Sequence, residues 1–224
     1  MAKSTTQYVC QSCGTIHPKW GGQCDGCGSW NTLVEETAGE TPKGLTSGKG
    51  KRIEFTALDE SVQDAGRFKT GIGELDRVLG GGLVSGSAVL IGGDPGIGKS
   101  TLLLQTVIAA AKAGLECAYI SGEESVAQVS LRARRLGLAS KNVRLASATS
   151  VRDIVSTLDA MSEAKIVIID SIQTMYLDNL DAAPGTVSQV RAASHELIKL
   201  AKKRGLTLFL VGHVTKDGQI AGPR

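Results

Sequence analysis

Apolar and polar positions along the 224-residue chain fall into two kinds of stretch that take turns. Short, nearly continuous apolar runs occupy Ala88–Ile91, Cys117–Ile120, Val143–Leu145, Ile166–Ile169 and Leu206–Val211. Such runs predict strands of a buried sheet. Between them, Thr101–Ala113, Val126–Leu136, Val151–Met161 and Val187–Lys203 are longer and amphipathic, and predict helices. Strands alternating with helices imply right-handed crossovers and a mainly parallel sheet covered on both faces, so the fold class is α/β. Ahead of the first strand, TGIGELDRVLGGG (Thr70–Gly82) predicts a short helix stopped by three glycines.

The pattern is lost toward the N-terminus. From Glu35 to about Gly50 the chain is polar, rich in Gly, Thr, Lys and Glu and without period, which predicts a flexible linker. Arg52–Phe68 regains apolar residues and is expected to pack against the larger domain. The division is therefore a small domain at 1–34, a linker at 35–52 and a larger domain at 53–224. No run approaches the roughly 20 apolar residues of a membrane span, and the opening MAKSTTQYVC lacks the apolar core of a secretory signal. The expected setting is the cytoplasm, with no membrane partner. A formal charge of +3 is too small to establish nucleic-acid binding.

Cysteine usage sharpens the picture of the small domain. Cys10-Gln-Ser-Cys13 and Cys24-Asp-Gly-Cys27 form two C-x-x-C knuckles ten residues apart, a spacing that lets four thiolates close around one Zn²⁺. A closed Cys₄ site has no open position, so this zinc ribbon is expected to hold a fold and serve as a docking module. His17, between the knuckles, is expected to be an exposed loop residue. Trp20 and Trp30 are expected to cover the metal site. Cys117 stands alone in an apolar strand and is expected to be buried and inert.

Candidate chemistry gathers where the large domain begins. Gly93-Asp94-Pro95-Gly96-Ile97-Gly98-Lys99-Ser100 satisfies every fixed position of the phosphate-binding pattern G-x-x-x-x-G-K-[ST], between a predicted strand and a predicted helix. Its glycines let backbone N–H groups curl around phosphates, Lys99 reaches the β and γ phosphates, and Ser100 offers a hydroxyl to Mg²⁺. The nucleotide-binding set is expected to run on through Thr101. Lys165-Ile-Val-Ile-Ile-Asp170 is an apolar strand ending in a carboxylate, which is the second Mg²⁺ ligand such a loop requires. Glu123 follows another strand and is the expected general base, with Glu124 as fallback. Gln173 and His213 lie just past apolar strands and are candidates to sense a γ-phosphate. Two polar loops, Tyr176–Thr186 and Gly212–Arg224, are candidates to touch a polymer. The cluster Lys199, Lys202, Lys203 and Arg204 reads as a solvated helix end that complements the dipole.

Together these motifs resemble the bacterial RadA (Sms) family of RecA-like DNA repair ATPases. The likeness rests on the Cys₄ ribbon followed by Trp30-Asn-Thr-Leu33, on TGIGELDRVLGGG, on GGDPGIGKSTLL, and on Tyr119-Ile-Ser-Gly-Glu-Glu-Ser125. Ile169-Asp-Ser-Ile-Gln173 and Gly212-His-Val-Thr-Lys216 complete it. The resemblance implies a RecA-like P-loop core behind the ribbon. Its implied activity is that of a DNA-dependent ATPase using ATP, Mg²⁺ and Zn²⁺, which binds single-stranded DNA and promotes branch migration of recombination intermediates. RecA as partner and a homo-oligomeric ring at full length are implied as well. By motif, Lys99 and Glu123 catalyse, Ser100 and Asp170 hold Mg²⁺, and the loops at 176–186 and 212–224 approach DNA.

The family continues past Arg224 with a Lys-Asn-Arg-Phe-Gly motif and a Lon-protease-like domain, so the core is expected to be C-terminally incomplete. The strand Leu206–Val211 is then expected to lack a protecting neighbour. The competing reading from another class is a zinc-ribbon adaptor whose nucleotide pocket is only a switch. Within the enzymes, the alternatives are another RecA-like helicase or clock-type ATPase and, less well matched, a small-molecule kinase.

Overall fold

The computed structural model describes residues 6–37, 66–138 and 141–213. The N-terminal part is a three-stranded antiparallel sheet of β1 (Thr6–Cys10), β2 (Ile16–His17) and β3 (Leu33–Thr37) in the order β2-β1-β3. Strand β3 continues to Thr37, into the segment read as linker, because Leu33 to Thr37 pair with Cys10 to Thr6 in unbroken register. The rest of that linker and most of Arg52–Phe68 lie outside the described residues.

The larger part begins with α1 (Gly73–Val78) and then alternates strictly. Its order is β4 (Ala88–Gly93), α2 (Lys99–Lys112), β5 (Glu116–Ser121), α3 (Val126–Arg135), β6 (Val143–Ser147), α4 (Val151–Ala160), β7 (Ala164–Asp170), α5 (Val187–Arg204) and β8 (Thr207–His213). All neighbours in the five-stranded sheet are parallel, in the order β4-β8-β7-β5-β6. The five expected strands and the four expected long helices of this part are present, with no end moved by more than two residues, and the short helix expected within Thr70–Gly82 is α1.

Side chains of the inner strands alternate between two apolar layers. Cys117, Tyr119, Ile166, Ile168, Phe209 and Val211 face α2 and α3, against Leu103, Leu104, Val107 and Val129. Ala118, Ile120, Val167, Ile169, Leu208 and Leu210 face α4 and α5, against Ile154, Leu158, Val190 and Leu197. Both faces are thus dry, which is why these strands read as continuous apolar runs.

Two expectations about the sheet are corrected. Strand β4 is an edge, and its outer positions alternate with inner ones, leaving Leu90 45% exposed instead of buried. Strand β8 sits between β4 and β7 with hydrogen-bonded neighbours on both sides, so it has no unprotected flank, and among the described residues the edges are β4 and β6.

Helix starts follow local chemistry. Ser125, Ser150 and Thr186 accept hydrogen bonds from the backbone N–H of Gln128, Asp153 and Gln189, the standard N-cap arrangement. Arg204 is not a purely solvated helix end. It donates to the carbonyls of Leu158 and Asp159 (2.9 Å each) and Met161 (3.2 Å), satisfying the open end of α4.

Candidate functional site

The sheet register brings the chemistry together. Ser121 lies opposite both Asp170 and Ser147, and Gly93 lies opposite His213 two positions further along, because Ile169 pairs with Leu210; the last residues of the five strands thus form a stepped row along one edge of the sheet. By alternation these residues share the face covered by α2. A row at the carboxyl edge of a parallel sheet is where α/β folds place their ligands.

At one end of the row the phosphate loop leads into α2. Helix α2 is unlike α3, α4 and α5 in having no side-chain cap; its N-cap is Gly98, at φ 102, a left-handed conformation a bulkier residue would resist. There is no acidic residue in its first turn, so the N–H groups and the positive dipole end are left for an anion. The buried Lys99 folds back over the loop. Its Nζ donates to the carbonyls of Gly93 (2.7 Å) and Asp94 (2.9 Å) and lies 3.3 Å from His213 Nδ1.

The carboxylates stand beside it. Glu123 leaves β5 through Gly122, where a Cβ would fall 2.0 Å from Thr174 Oγ1, so only glycine allows the two strand exits to meet this closely. Gly122 N–H donates to the Asp170 carbonyl (2.8 Å), and the buried Ser121 hydroxyl accepts from the N–H groups of Glu123 (3.3 Å) and Glu124 (2.8 Å). So fixed, Glu123 Oε1 accepts from Ser171 Oγ (2.5 Å) and from His213 Nε2 (3.0 Å). Burial works to raise its carboxyl pKa, but the hydrogen bonds from Ser171 and His213, with the charges of His213 and Lys99, outweigh it. The carboxyl is held below its ordinary range. His213 thus bridges the two groups, its Nδ1 facing the Lys99 ammonium and its Nε2 facing Glu123. Gln173 Nε2 donates to the His213 carbonyl (3.1 Å), and its buried Oε1 has no partner among the described residues.

Glu124 points elsewhere and accepts from Arg132 Nη1 at 2.6 Å. The Asp170 carboxylate is buried, and its hydrogen-bond partner is the Tyr119 hydroxyl. Burial first, then the Asp170 charge, push that phenol far above its usual range. The Arg132 charge and Ser100, the other expected metal ligand, act on that phenol in the opposite, lowering direction. Two hydroxyl or carboxylate oxygens at the row, with water filling the remaining positions, are the donor set Mg²⁺ takes beside a phosphate loop. Sequence reasoning missed Tyr119, Ser171 and Ser121. A tyrosine in a strand of aliphatic residues was a usable signal, since a buried hydroxyl requires a partner.

Of the two loops considered for a polymer, Tyr176–Thr186 is tied to α5 by the buried Gln189. Its Nε2 donates to the carbonyls of Leu177 (3.1 Å), Leu180 (3.3 Å) and Ala182 (2.9 Å), and its Oε1 accepts from Leu177 N–H (2.8 Å). The other loop, beyond His213, lies outside the described residues.

In the N-terminal sheet the four knuckle sulfurs lie within 4.8 Å of one another, with Cys13–Cys24 at 3.6 Å and Cys10–Cys27 at 3.7 Å. Sulfurs at about 2.3 Å from a tetrahedral zinc are about 3.8 Å apart, so the thiols fit one Zn²⁺. Burial opposes ionisation of Cys10, yet hydrogen bonds from Thr32 and the backbone of Cys13 and Ser12 bring it down to about 6. His17 is buried, not exposed: its Nε2 lies 3.4 Å from Cys24 Sγ and its Nδ1 3.5 Å from Asp25, so it supports a ligand. Trp20 and Trp30 are 60% and 69% exposed and do not cover the metal site. Cys10, Cys24 and Leu33, with Tyr8 and Cys13, make that small core without them. Cys117 is buried in the main core, where burial pushes its thiol up to about 12.

Comparison with known proteins agrees with both parts. Residues 8–35 match the rubredoxin metal binding domain, and residues 52–219 match the AAA domain. The chain is 52% identical to the DNA repair protein RadA of Brucella abortus over 236 aligned positions, 49% to that of Pseudomonas aeruginosa and 48% to that of Bacillus subtilis. Each alignment takes in the whole chain. The chain belongs to the RadA family. It spans about half the length of these RadA relatives (50% in each case). Its zinc ribbon, α/β phosphate-loop domain and RadA-type motifs are those the resemblance implied. No helix among the described residues is long and apolar enough to cross a membrane.

Proposed function

We propose that this chain is the nucleotide-hydrolysing part of a DNA-dependent ATPase acting in DNA repair and recombination. The observation that carries the proposal is the contact chain Lys99–His213–Glu123, at 3.3 and 3.0 Å, which sets a carboxylate within reach of the phosphate loop. Gly93 to Thr101 hold the phosphates of ATP, and Ser100 and Asp170 hold Mg²⁺. That ion supplies charge neutralisation of the phosphate oxygens.

When ATP enters, Lys99 leaves the Gly93 and Asp94 carbonyls for the β and γ phosphates, which releases His213 Nδ1. Glu123 then orients a water for in-line attack at the γ-phosphorus and accepts its proton as the bond to the bridging oxygen breaks, giving ADP and phosphate. A carboxylate held below its ordinary range is a weak base, so orientation is its larger contribution, in keeping with the loose transition state of phosphoryl transfer. Gln173 Oε1, buried and unpartnered among the described residues, accepts a second hydrogen of that water.

The RadA relatives carry the name DNA repair protein, and we extend that setting to this chain. Single-stranded DNA meets the loops at 176–186 and 212–224, branched recombination intermediates are the substrates, and RecA is the partner. The assembly is a homo-oligomeric ring in the cytoplasm. The domains are a ribbon that ends with β3 at Thr37, a linker from there to residue 52 and an ATPase domain at 53–224. Turnover of ATP with and without single-stranded DNA tests the proposal. Stimulated hydrolysis supports it, whereas tight nucleotide binding with no turnover in either condition refutes it and leaves a ribbon adaptor with a nucleotide switch.

A further inference from the structure

Tyr119 is fully buried among aliphatic side chains of the α2 face, yet its hydroxyl is the meeting point of a polar chain that neither the phosphate loop nor Glu123 uses. The hydroxyl donates to Asp170 Oδ2. It accepts from Arg132 Nη2 at 3.3 Å, and Arg132 Nη1 donates to Glu124 Oε1 at 2.6 Å.

The register explains the reach. Tyr119 stands opposite Ile168, two positions before the Ser121–Asp170 pair on the same face, and a diagonal of that length is spanned by an aromatic side chain. The direction of the chain is set from α3. A guanidinium carries only donors, so the tyrosine oxygen must accept from Arg132, which leaves its own proton for the carboxylate. Asp170, one of the two side chains expected to hold the metal, is therefore held by an oriented hydroxyl. The buried Arg132 Nε has no partner among the described residues, so the guanidinium is held by its two terminal nitrogens.

We propose that Tyr119 and Arg132 are positioning residues for the metal pair. Arg132 orients the Tyr119 hydroxyl, and Tyr119 holds one oxygen of Asp170 so that the other stays directed to the ion shared with Ser100. The salt bridge from Arg132 to Glu124 extends the chain to the turn that carries Glu123. This rests on the assignment of Ser100 and Asp170 as metal ligands under the proposed function. Partners of metal ligands are commonly worth 10–100-fold in metal affinity, and one hydroxyl in this role corresponds to about tenfold.

The test uses the full chain with ADP, and Mn²⁺ as a paramagnetic stand-in whose binding is read by electron paramagnetic resonance. A fluorescent ADP analogue in excess chelator reads metal-free nucleotide affinity. Tyr119→Phe keeps the ring and removes the hydroxyl. Its expected effect is an about tenfold weaker Mn²⁺ affinity, with metal-free nucleotide affinity within about twofold of the native chain. Arg132→Gln, on the outer side, is expected to weaken Mn²⁺ about threefold and carries the test if the tyrosine variant fails to fold. Native-like Mn²⁺ affinity in both variants overturns the positioning role while leaving the ligand assignment intact. Absence of Mn²⁺ binding by the native chain with ADP overturns the ligand assignment and the positioning role together. Equal losses with and without metal identify a packing role and also overturn the proposal.

Discussion

Replacing Lys99 with Met removes the ammonium and keeps a buried stem of similar length, so it isolates the charge. Lys99 Nζ donates to two carbonyls at 2.7 and 2.9 Å. Hydrogen bonds from a charged donor contribute about 1.5–3 kcal/mol each, but carbonyls on an open loop recover much of this from water, so folding should lose about 1 kcal/mol. In a domain of this size that lowers the melting temperature by about 2–4 °C. Nucleotide binding exchanges the two carbonyls for phosphate oxygens of higher charge. The net loss on deleting the ammonium is about 3 kcal/mol, or roughly 100-fold in affinity. Hydrolysis should fall by a further factor of about 10²–10³, because charge on the transferring group is largest in the transition state. Fluorescent-nucleotide titration, single-turnover hydrolysis and thermal unfolding without nucleotide measure the three terms. Affinity and turnover both within about threefold of the native chain would refute the exchange of carbonyls for phosphates.

Glu123→Gln should keep nucleotide affinity and slow single-turnover hydrolysis about 10²-fold or more, and an unchanged rate would pass the role to Glu124. The depressed pKa of Glu123 contributes stability that is present above its unfolded-state value and lost as pH falls through the lower folded value. His213→Ala removes part of that depression, so the acid limbs of stability and of turnover should move to higher pH; a profile over about pH 3 to 6 checks this, and a limb that stays put contradicts it. Freshly purified chain should release about one zinc per molecule when its thiols are titrated with a mercurial. Metal removal should change the fluorescence of Trp20 and Trp30 without moving the unfolding transition of the larger domain. Zinc content near zero would remove the ribbon assignment.

What was legible in the sequence tracked how much of the signal was local. β5, β7 and β8 are buried on both faces, so their runs stand out whatever surrounds them. β4 has a similar composition but only one covered face, and apolar content alone does not tell which neighbours a strand will have. Lys99, Ser100 and the four cysteines were readable because each belongs to a fixed spacing. His17 and Arg204 were misread because their partners, Cys24 on the second knuckle and the carbonyls ending α4, are set by folding and not by spacing. The exposure of Trp20 and Trp30 has the same origin: Cys10, Cys24 and Leu33, with Tyr8 and Cys13, fill the ribbon's small interior, leaving the indoles no place in it.

The row formed by the last residues of the five strands also makes the chain unevenly tolerant of changes in length. Because side chains alternate faces, one residue inserted within β7 would carry Asp170 to the α4 and α5 side, away from Ser100, while leaving the composition of the strand almost unchanged. Residues entering at the opposite rim, as in the turn at Gly137 and Leu138 between α3 and β6, shift no register and should be accepted. A library of single-residue insertions would therefore divide the domain along the strand axis, with sharp intolerance inside the strands and permissive positions at the rim remote from the phosphate loop.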